Sequence, residues 1–273
     1  MDHITIKKGH DVRIKGIPSD ETSSNVLSEK VSLSPHQFRG VKPKLVVREG
    51  DKVKTGSPLF FDKLKPEVKW ASPSGGVVTG IQYGARRIIE KIEITVEDKK
   101  PESYKSFSSS ELNAADREAV MKNILDACIF PLIRQRPFNK VANPNDVPRD
   151  IFVSAYNTAP LSVNVSKVIQ NNKDQFQAGL TALSKLTDGS VYLTSQKLME
   201  FDNATNVTIE GPHPAGNVGI QIHHIKPINP GEVIWTVNAQ HVITIGKLFQ
   251  NGQYDPGCIV SIGGSGSSNP QTV

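Results

Sequence analysis

The stretch Lys44–Lys63, KLVVREGDKVKTGSPLFFDK, decides the fold of the N-terminal part of the chain. Short β-branched and aromatic runs alternate in it with turns at Gly50 and Gly56. Such punctuation is typical of short strands joined by tight turns, and glycine supplies the positive φ that those turns require. The stretch therefore predicts an all-β N-terminal domain.

A second stretch, Ala71–Val78 (ASPSGGVV), continues the pattern with a proline turn, paired glycines and a further strand. Together the two stretches resemble the barrel-sandwich hybrid fold of biotinyl and lipoyl carrier domains. The resemblance places Lys63, which follows Asp62, near the lysine that carries the cofactor in lipoyl domains. Leu64-Lys65-Pro66 then inserts a proline that alters the hairpin a modifying enzyme would read. We therefore favour an unmodified barrel used for docking over a lipoyl-type carrier.

The amino-acid composition limits the classes of protein to which this chain can belong. The chain has 273 residues, 37% of them hydrophobic and 22% charged, which indicates globular folding with room for two domains. No apolar window approaches the roughly 18 residues of a membrane span, and the N-terminus lacks the apolar core of a secretory signal. The net charge of +5 is spread along the chain, and the sequence carries no nucleic-acid-binding motif. Cys128 and Cys258 lie far apart, so we expect two reduced thiols in a cytosolic protein.

Changes in composition divide the chain. Residues 1–98 form the predicted barrel, and the charged, serine-rich residues 99–110 form a linker. Strands that alternate with helices over residues 111–262 predict a Rossmann-like α/β domain with a mostly parallel sheet. Residues 263–273 then begin a further region. Within the α/β domain the expected helices cover 114–128 and 174–186, and the expected strands are 151–155, 189–194, 207–210, 220–225, 233–237, 240–245 and 258–262.

A glycine-rich turn follows the strand at 207–210. Gly211, Gly216 and Gly219 lie in this turn with His213, at the end of a parallel strand where phosphates and planar ligands bind. The spacing is not that of a dinucleotide fingerprint, and two prolines remove backbone donors from the turn. Nucleotide binding in this turn therefore remains a minor alternative.

A cationic loop is the third candidate. Arg134, Arg136 and Lys140 lie in the segment RQRPFNK, and guanidinium groups match phosphate and carboxylate oxygens. A surface loop paired with acidic residues of its own domain is an equally good interpretation.

Histidines and known motifs point to no complete active site. His223 and His224 are adjacent, and on the expected strand at 220–225 they would face opposite sides, so they would not share a metal. We expect His241, on the expected strand at 240–245, to be a core or edge histidine. The sequence shows no nucleophile elbow, phosphate-binding loop or zinc-protease motif, so we predict neither catalytic residues nor a metal site.

Several ordered motifs together resemble one family, the A subunits of sodium-translocating NADH:quinone oxidoreductases. They run from the N-terminus to the C-terminus in the family's order. The matching segments are ITIKKGHDVRIKGIP, VREGDKVKTGSPLFFDK, ASPSGGVV, RPFNK, IFVSA, EGPHPAGNVGIQIHHI, the run around Val233–Trp235, ITIGKLFQNG and SIGGSGSSNP.

The resemblance implies a peripheral subunit on the cytoplasmic face of the bacterial inner membrane. The implied complex passes electrons from NADH to quinone and exports Na⁺, with FAD, FMN and an iron–sulfur centre on its other subunits. It also implies a barrel-sandwich module, an α/β domain similar to a flavin-holding domain, and further ubiquitin-like and helical pieces beyond Val273. We therefore expect a C-terminally truncated chain.

In the region where flavin-binding relatives hold their cofactor, the residues of this chain differ from the pattern of those relatives. Flavin-binding relatives carry a glycine-rich loop where this chain has RQRPFNK, and arginine and proline replace the glycines that let backbone N–H groups approach FMN. We therefore expect no cofactor on this chain. The chain is then expected to take part in quinone handling, with His213 as a hydrogen-bonding residue, or in assembly of the complex. The alternative is a stand-alone flavin or nucleotide protein that uses Gly211–Gly219.

Overall fold

Two small antiparallel sheets form the N-terminal part, as the glycine-punctuated stretch predicts. The computed structural model describes residues 2–23, 26–97 and 100–273. The strands of the two sheets are β2 (Lys30–Leu33), β3 (Pro43–Leu45), β4 (Lys52–Val53), β5 (Pro58–Asp62), β6 (Lys65–Ala71), β7 (Gly76–Tyr83) and β8 (Ile89–Val96). One sheet has the order β2-β8-β7-β4 and the other β3-β5-β6.

An aromatic cluster fills the core of these sheets. The rings of Phe60 and Trp70 stack with centroids 4.6 Å apart, and Phe38 meets Trp70 edge-on at 5.1 Å. Phe60 is fully buried and Trp70 nearly so. Such ring pairs contribute about 0.5–1.5 kcal/mol beyond their buried area, so they give this small domain a defined centre.

A seven-stranded sheet organises the rest of the chain. Its strands are β1 (Asp2–Thr5), β9 (Ile133–Arg136), β10 (Lys140–Val141), β11 (Ile151–Ser154), β12 (Val191–Ser195), β13 (Thr205–Glu210) and β14 (Ile234–Asn238). The order is β1-β13-β12-β11-β14-β9-β10, with five parallel strands and an antiparallel hairpin at one edge. The predicted α/β domain with a mostly parallel sheet is therefore confirmed.

The first strand departs from the sequence-based division. β1 pairs in parallel with β13, from Asp2 opposite Val207 to Thr5 opposite Glu210, so it lies in the α/β sheet and not in the small sheets. The pairing joins residues about two hundred positions apart, and no local pattern reports such a contact. The next strand along the chain, β2, belongs to the N-terminal sheets.

Helices cover both faces of the large sheet. They are α1 (Ser109–Ala114), α2 (Arg117–Asp126), α3 (Val165–Gln170), α4 (Lys173–Ser184), α5 (Val218–Ile225) and α6 (Ala239–Asn251). α5 packs on one face, where Ile222 meets Phe152 and Ile234. α4 and α6 pack on the other, and their backbones nearly touch at Gly179 and Gly246.

Three predicted strands are wrong. Residues 220–225 and 240–245 are helical, in α5 and α6, because their apolar residues recur at helical spacing and face the sheet. Residues 258–262 do not join the large sheet. There only β15 (Ser261–Ile262) is extended, and it pairs with β16 (Gln271–Thr272) in a separate two-stranded ribbon.

The predicted linker is bonded to both domains along its described part. Tyr104 donates its hydroxyl to the Gly56 carbonyl at 3.0 Å and its backbone N–H to the Gly252 carbonyl at 2.7 Å. Phe107 packs against Phe249 with ring centroids 5.2 Å apart. Asp98 and Lys99, where the sequence places the domain boundary, lie outside the described residues, so the boundary itself stays a prediction.

Candidate functional site

A cavity of about 610 Å³ opens at the carboxyl ends of β11 and β14. The chain continues from β11 to β12 on one side and crosses from β13 to β14 on the other, so the strand order reverses at this crevice. Ligands of open α/β sheets bind at such switch points. Ser154 ends β11 and Asn238 ends β14, and both line the cavity.

The edge hairpin supplies the cationic wall of the cavity. On β9, Ile133 and Gln135 are buried and alternate with Arg134 and Arg136, so both arginines face the side of the sheet that α5 covers. Arg134 lies opposite Thr236 of β14, and that threonine also lines the cavity. The segment expected to be a loop is therefore a hairpin, with β9 and β10 joined by a turn at residues 137–139.

Neither arginine is neutralised. No acidic side chain within residues 2–23, 26–97 and 100–273 makes an ion pair with Arg134 or Arg136. Arg134 donates to the Asn139 carbonyl at 2.7 Å, and the buried Nε of Arg136 has no partner among the same residues. Burial lowers the pKa of both side chains, and the neighbouring Arg136 charge lowers that of Arg134 further. Two partly desolvated cations thus face one cavity, an arrangement that favours a ligand with electron-rich oxygens.

His241 completes the polar lining. It sits in the first turn of α6, not on a strand, and lines the cavity beside Asn238. Burial is the main reason that its pKa lies below the usual value; the nearby Leu132 backbone opposes the shift, and the Arg134 charge adds to it. Its Nδ1 is buried without a partner among the described residues. The neutral imidazole therefore lines the cavity, while that Nδ1 is shielded from solvent.

The glycine-rich turn forms the rim of the same cavity, and its glycines have different roles. A side chain at Gly211, where φ is +134°, would collide with the Ile6 carbonyl, and one at Gly216 would collide with the Thr158 backbone. Close packing inside the protein therefore explains why both positions are glycine. Gly219, in the first turn of α5, meets nothing within 4 Å and lines the cavity with Gly216. Only Gly219 leaves open space that a ligand can approach.

Three predicted site residues lie outside the cavity lining. His213 bonds through its ring Nδ1 to the Thr158 hydroxyl at 3.1 Å, and its backbone N–H donates to Asp11 Oδ1 at 2.8 Å. Lys140 is exposed on β10, and Gly211 packs on Ile6. The cavity lining thus includes Arg134, Arg136, Gly216 and Gly219. It does not include His213, Lys140 or Gly211. The sequence alone did not place His241, Ser154 or Thr236 in a binding site. Their positions close to the carboxyl ends of predicted parallel strands were the signal that could have found them.

The remaining histidines and cysteines form no centre. His223 and His224 are neighbours on exposed turns of α5, with ring centroids 5.2 Å apart. Among the residues that the structure describes, no group of three metal-ligating side chains comes together. Cys128 is a buried free thiol and Cys258 an exposed one. Burial raises the pKa of the Cys128 thiol to about 11.

The lysine of the carrier alternative lies in the two-residue turn between β5 and β6. Lys63 is exposed there, and its backbone N–H donates to the Lys42 carbonyl at 2.8 Å. The neighbouring Asp62 is buried and accepts from the Lys42 and Leu64 N–H groups. The modification of Lys63 stays open, and intact mass would test it.

Within the described part of the chain, every helix is too short or too polar to cross a bilayer.

Comparison with known proteins identifies both halves of the chain. Residues 4–97 match the family model described as the NqrA N-terminal barrel-sandwich hybrid domain. Residues 115–254 match the model described as the NqrA second alpha/beta domain. The all-β and α/β predictions are confirmed as this pair of domains.

Curated relatives match along nearly the whole chain. The A subunit of the Na(+)-translocating NADH-quinone reductase from Marinomonas sp. (strain MWYL1) is 35% identical over 271 residues, which cover 98% of this chain and 61% of the relative. The Vibrio alginolyticus protein of the same name is 36% identical over 274 residues, with 99% and 61% covered. That of Pasteurella multocida is 36% identical over 275 residues, with 99% and 62% covered. The chain thus spans about three fifths of the length of these relatives, and it belongs to the family of A subunits of Na(+)-translocating NADH-quinone reductases.

Proposed function

We propose that this chain is a peripheral subunit of a complex that passes electrons from NADH to quinone and exports Na⁺, and that its cavity at β11 and β14 binds the quinone headgroup. The relatives are named as subunits of such a reductase, which supports membership of the complex. The other subunits of that complex are the proposed partners, and the proposed location is the cytoplasmic face of the bacterial inner membrane.

The observation that carries the quinone proposal is the unneutralised arginine pair beside a neutral histidine. Reduction places negative charge on the two carbonyl oxygens of a quinone. Arg134 and Arg136 would attract those oxygens more strongly as that charge develops, which favours reduction. The imidazole of His241, which lines the same cavity, would contact the headgroup. The cavity volume of about 610 Å³ falls within the roughly 300–1,000 Å³ of small-molecule sites.

The chain supplies binding and orientation in this proposal, not electrons. Its described residues hold no cluster of metal ligands, and arginine and proline stand where a flavin-binding loop needs glycines. Electrons would come from redox groups on other subunits. The isolated chain is therefore expected to bind quinone but to be inactive as a reductase.

A binding titration tests the proposal. A water-soluble short-chain quinone, followed by ligand-observed NMR, is expected to bind the isolated chain. Arg136→Gln should weaken binding about 10- to 100-fold, since a hydrogen bond to a charged group contributes about 1.5–3 kcal/mol. Lys140→Gln is the matched control, because it removes a positive charge from the same hairpin outside the cavity. Equal affinities for the two variants, or no binding by the parent chain, would reject the site.

Membership of the complex has its own test. Membranes that lack this gene should lose sodium-stimulated, NADH-driven quinone reduction, and the full-length protein should restore it. Unchanged activity in the deletion would remove the functional basis of the proposal, whatever the isolated chain binds.

A phosphate-bearing ligand, such as a flavin or nucleotide, is the second candidate for the same cavity. The observation in its favour is the open space at Gly219 in the first turn of α5, next to the two arginines. Pro212 and Pro214 count against it, because they remove two backbone donors from the turn. A yellow purified protein, or displacement of the quinone by AMP at low concentration, would favour this ligand.

A further inference from the structure

A basic and apolar strap, residues 7–17, follows β1 along the chain and contacts His213 and Gly264. Its sequence is KKGHDVRIKGI. Val12, Ile14 and Ile17 expose 58%, 40% and 76% of their surface, although all three are branched apolar side chains that are usually buried. Clustered exposure of this kind marks an interaction site more often than scattered single residues do.

The charge of the strap is mostly positive. Lys7, Lys8, Arg13 and Lys15 are exposed, and none of them makes an ion pair with another residue in the described ranges. The one carboxylate of the strap, on Asp11, already accepts the His213 backbone N–H at 2.8 Å. The strap therefore carries a net positive charge around its apolar side chains, four cations against one carboxylate.

Hydrogen bonds hold the strap in place at both ends. The His10 N–H donates to the His213 carbonyl at 2.9 Å, and the Gly264 N–H donates to the Gly16 carbonyl at 3.0 Å. Gly9 packs so closely on His213, and Gly16 on Gly264, that neither accepts a side chain. Val12 and Ile14 lie between these anchors and Ile17 follows the second, so the anchors limit the positions that the three side chains can take, which reduces the conformational entropy lost on binding.

We propose that the strap docks this chain onto an anionic phospholipid surface. Exposed Val and Ile side chains between Lys and Arg side chains suit the headgroup region, where apolar tips enter the acyl boundary and cations face the phosphates. The backbone of residues 12–15 has no hydrogen-bond partner among the described residues, so the strap would stay at headgroup depth, where water and phosphate can satisfy it. An extended segment of a protein partner is the competing occupant, but four exposed cations against a single carboxylate match the phosphates of a lipid surface better.

Vesicle co-sedimentation of the full chain tests the proposal. Binding should be at least roughly tenfold stronger to phosphatidylcholine vesicles containing about 30% phosphatidylglycerol than to pure phosphatidylcholine, and added salt should weaken it. The triple variant Val12→Ser, Ile14→Ser, Ile17→Ser should lose most binding with its charge intact. The control variant Leu64→Ser, Ile88→Ser removes exposed apolar side chains elsewhere and should bind as the parent does.

A second charge variant separates the two contributions. Arg13→Gln with Lys15→Gln should abolish the preference for anionic vesicles, and thermal melts should match the parent, because both side chains are exposed. Equal sedimentation with neutral and anionic vesicles, or full binding by the triple variant, would overturn the proposal. Loss of co-purification with the other subunits, without vesicle binding by the parent, would assign the strap to a protein partner and overturn it too.

Discussion

Replacing Gly246 by alanine tests how closely the two helices behind the sheet are packed. Gly246 of α6 lies over the Gln175 carbonyl of α4, and Gly179 of α4 lies over the Val242 carbonyl of α6. A Cβ at either position would fall well under 3.0 Å from backbone atoms, a separation that real side chains do not show. Because a backbone carbonyl cannot rotate away, the helices themselves would have to separate.

The expected magnitude follows from two opposing effects. Alanine in a helix interior is favoured over glycine by about 1 kcal/mol. Overpacking at a tight interface destabilises by about 1–3 kcal/mol, and backbone-to-backbone contact puts Gly246 at the upper end. Gly246→Ala should therefore lower the free energy of unfolding by roughly 2 kcal/mol, which corresponds to a Tm lower by about 4–8 °C.

Gly219→Ala is the matched control. It is also a helical glycine, but a Cβ there meets nothing within 4 Å. Only the propensity effect acts, and it is reduced in the first turn of a helix, so this variant should gain about 0.5 kcal/mol. Calorimetric melts of both variants against the parent give the comparison. A Gly246→Ala protein that melts at or above the parent would show that the helices have room, and would refute the reasoning.

Two further predictions concern buried ionisable groups. Asp150 is fully buried and accepts from Arg149 Nε at 2.7 Å and Lys226 Nζ at 2.8 Å, so Asp150→Ala should lower the free energy of unfolding in a denaturant titration by about 3 kcal/mol. A loss below about 1 kcal/mol would mean that water replaces the carboxylate. His241 has a lowered pKa when folded, so the unfolded chain binds its proton more readily. The free energy of unfolding should therefore fall as pH drops through about 6.5, and His241→Gln should flatten that dependence. Identical slopes in variant and parent would contradict the burial of this histidine.

Most of the fold could be predicted from local sequence patterns. Glycine turns and β-branched runs correctly predicted the small sheets, and apolar spacing predicted α4. The prediction at α5 was wrong because the residue types of the segment were given more weight than the spacing of its apolar residues. Val218, Ile222 and Ile225 recur at i, i+4 and i+7 and all pack on the face of the sheet that holds Phe152, while Asn217 is a typical helix N-cap residue. The helical signal was present, but its isoleucines suggested a strand.

The site was less predictable, because it depends on strand order. Arg134 and Gly216 were separate candidates, some eighty residues apart, and nothing local says that β9 pairs with β14 or that the turn after β13 folds back over that pair. His241 was undervalued for the same reason. Its importance comes from the end of β14, whose position beside β11 is a property of the sheet and not of its own sequence neighbours.

His213 connects the two proposed surfaces. Its backbone holds His10 and Asp11 of the strap, and its ring bonds the Thr158 hydroxyl, which in turn accepts the Gly216 N–H at 3.0 Å on the rim of the cavity. Four hydrogen bonds therefore join the strap to the rim through this residue. If the strap rests on the lipid headgroups, this link fixes the cavity near the surface from which an apolar quinone arrives. Under both proposals, His213, which the sequence suggested as a ligand contact, would position the site relative to the membrane.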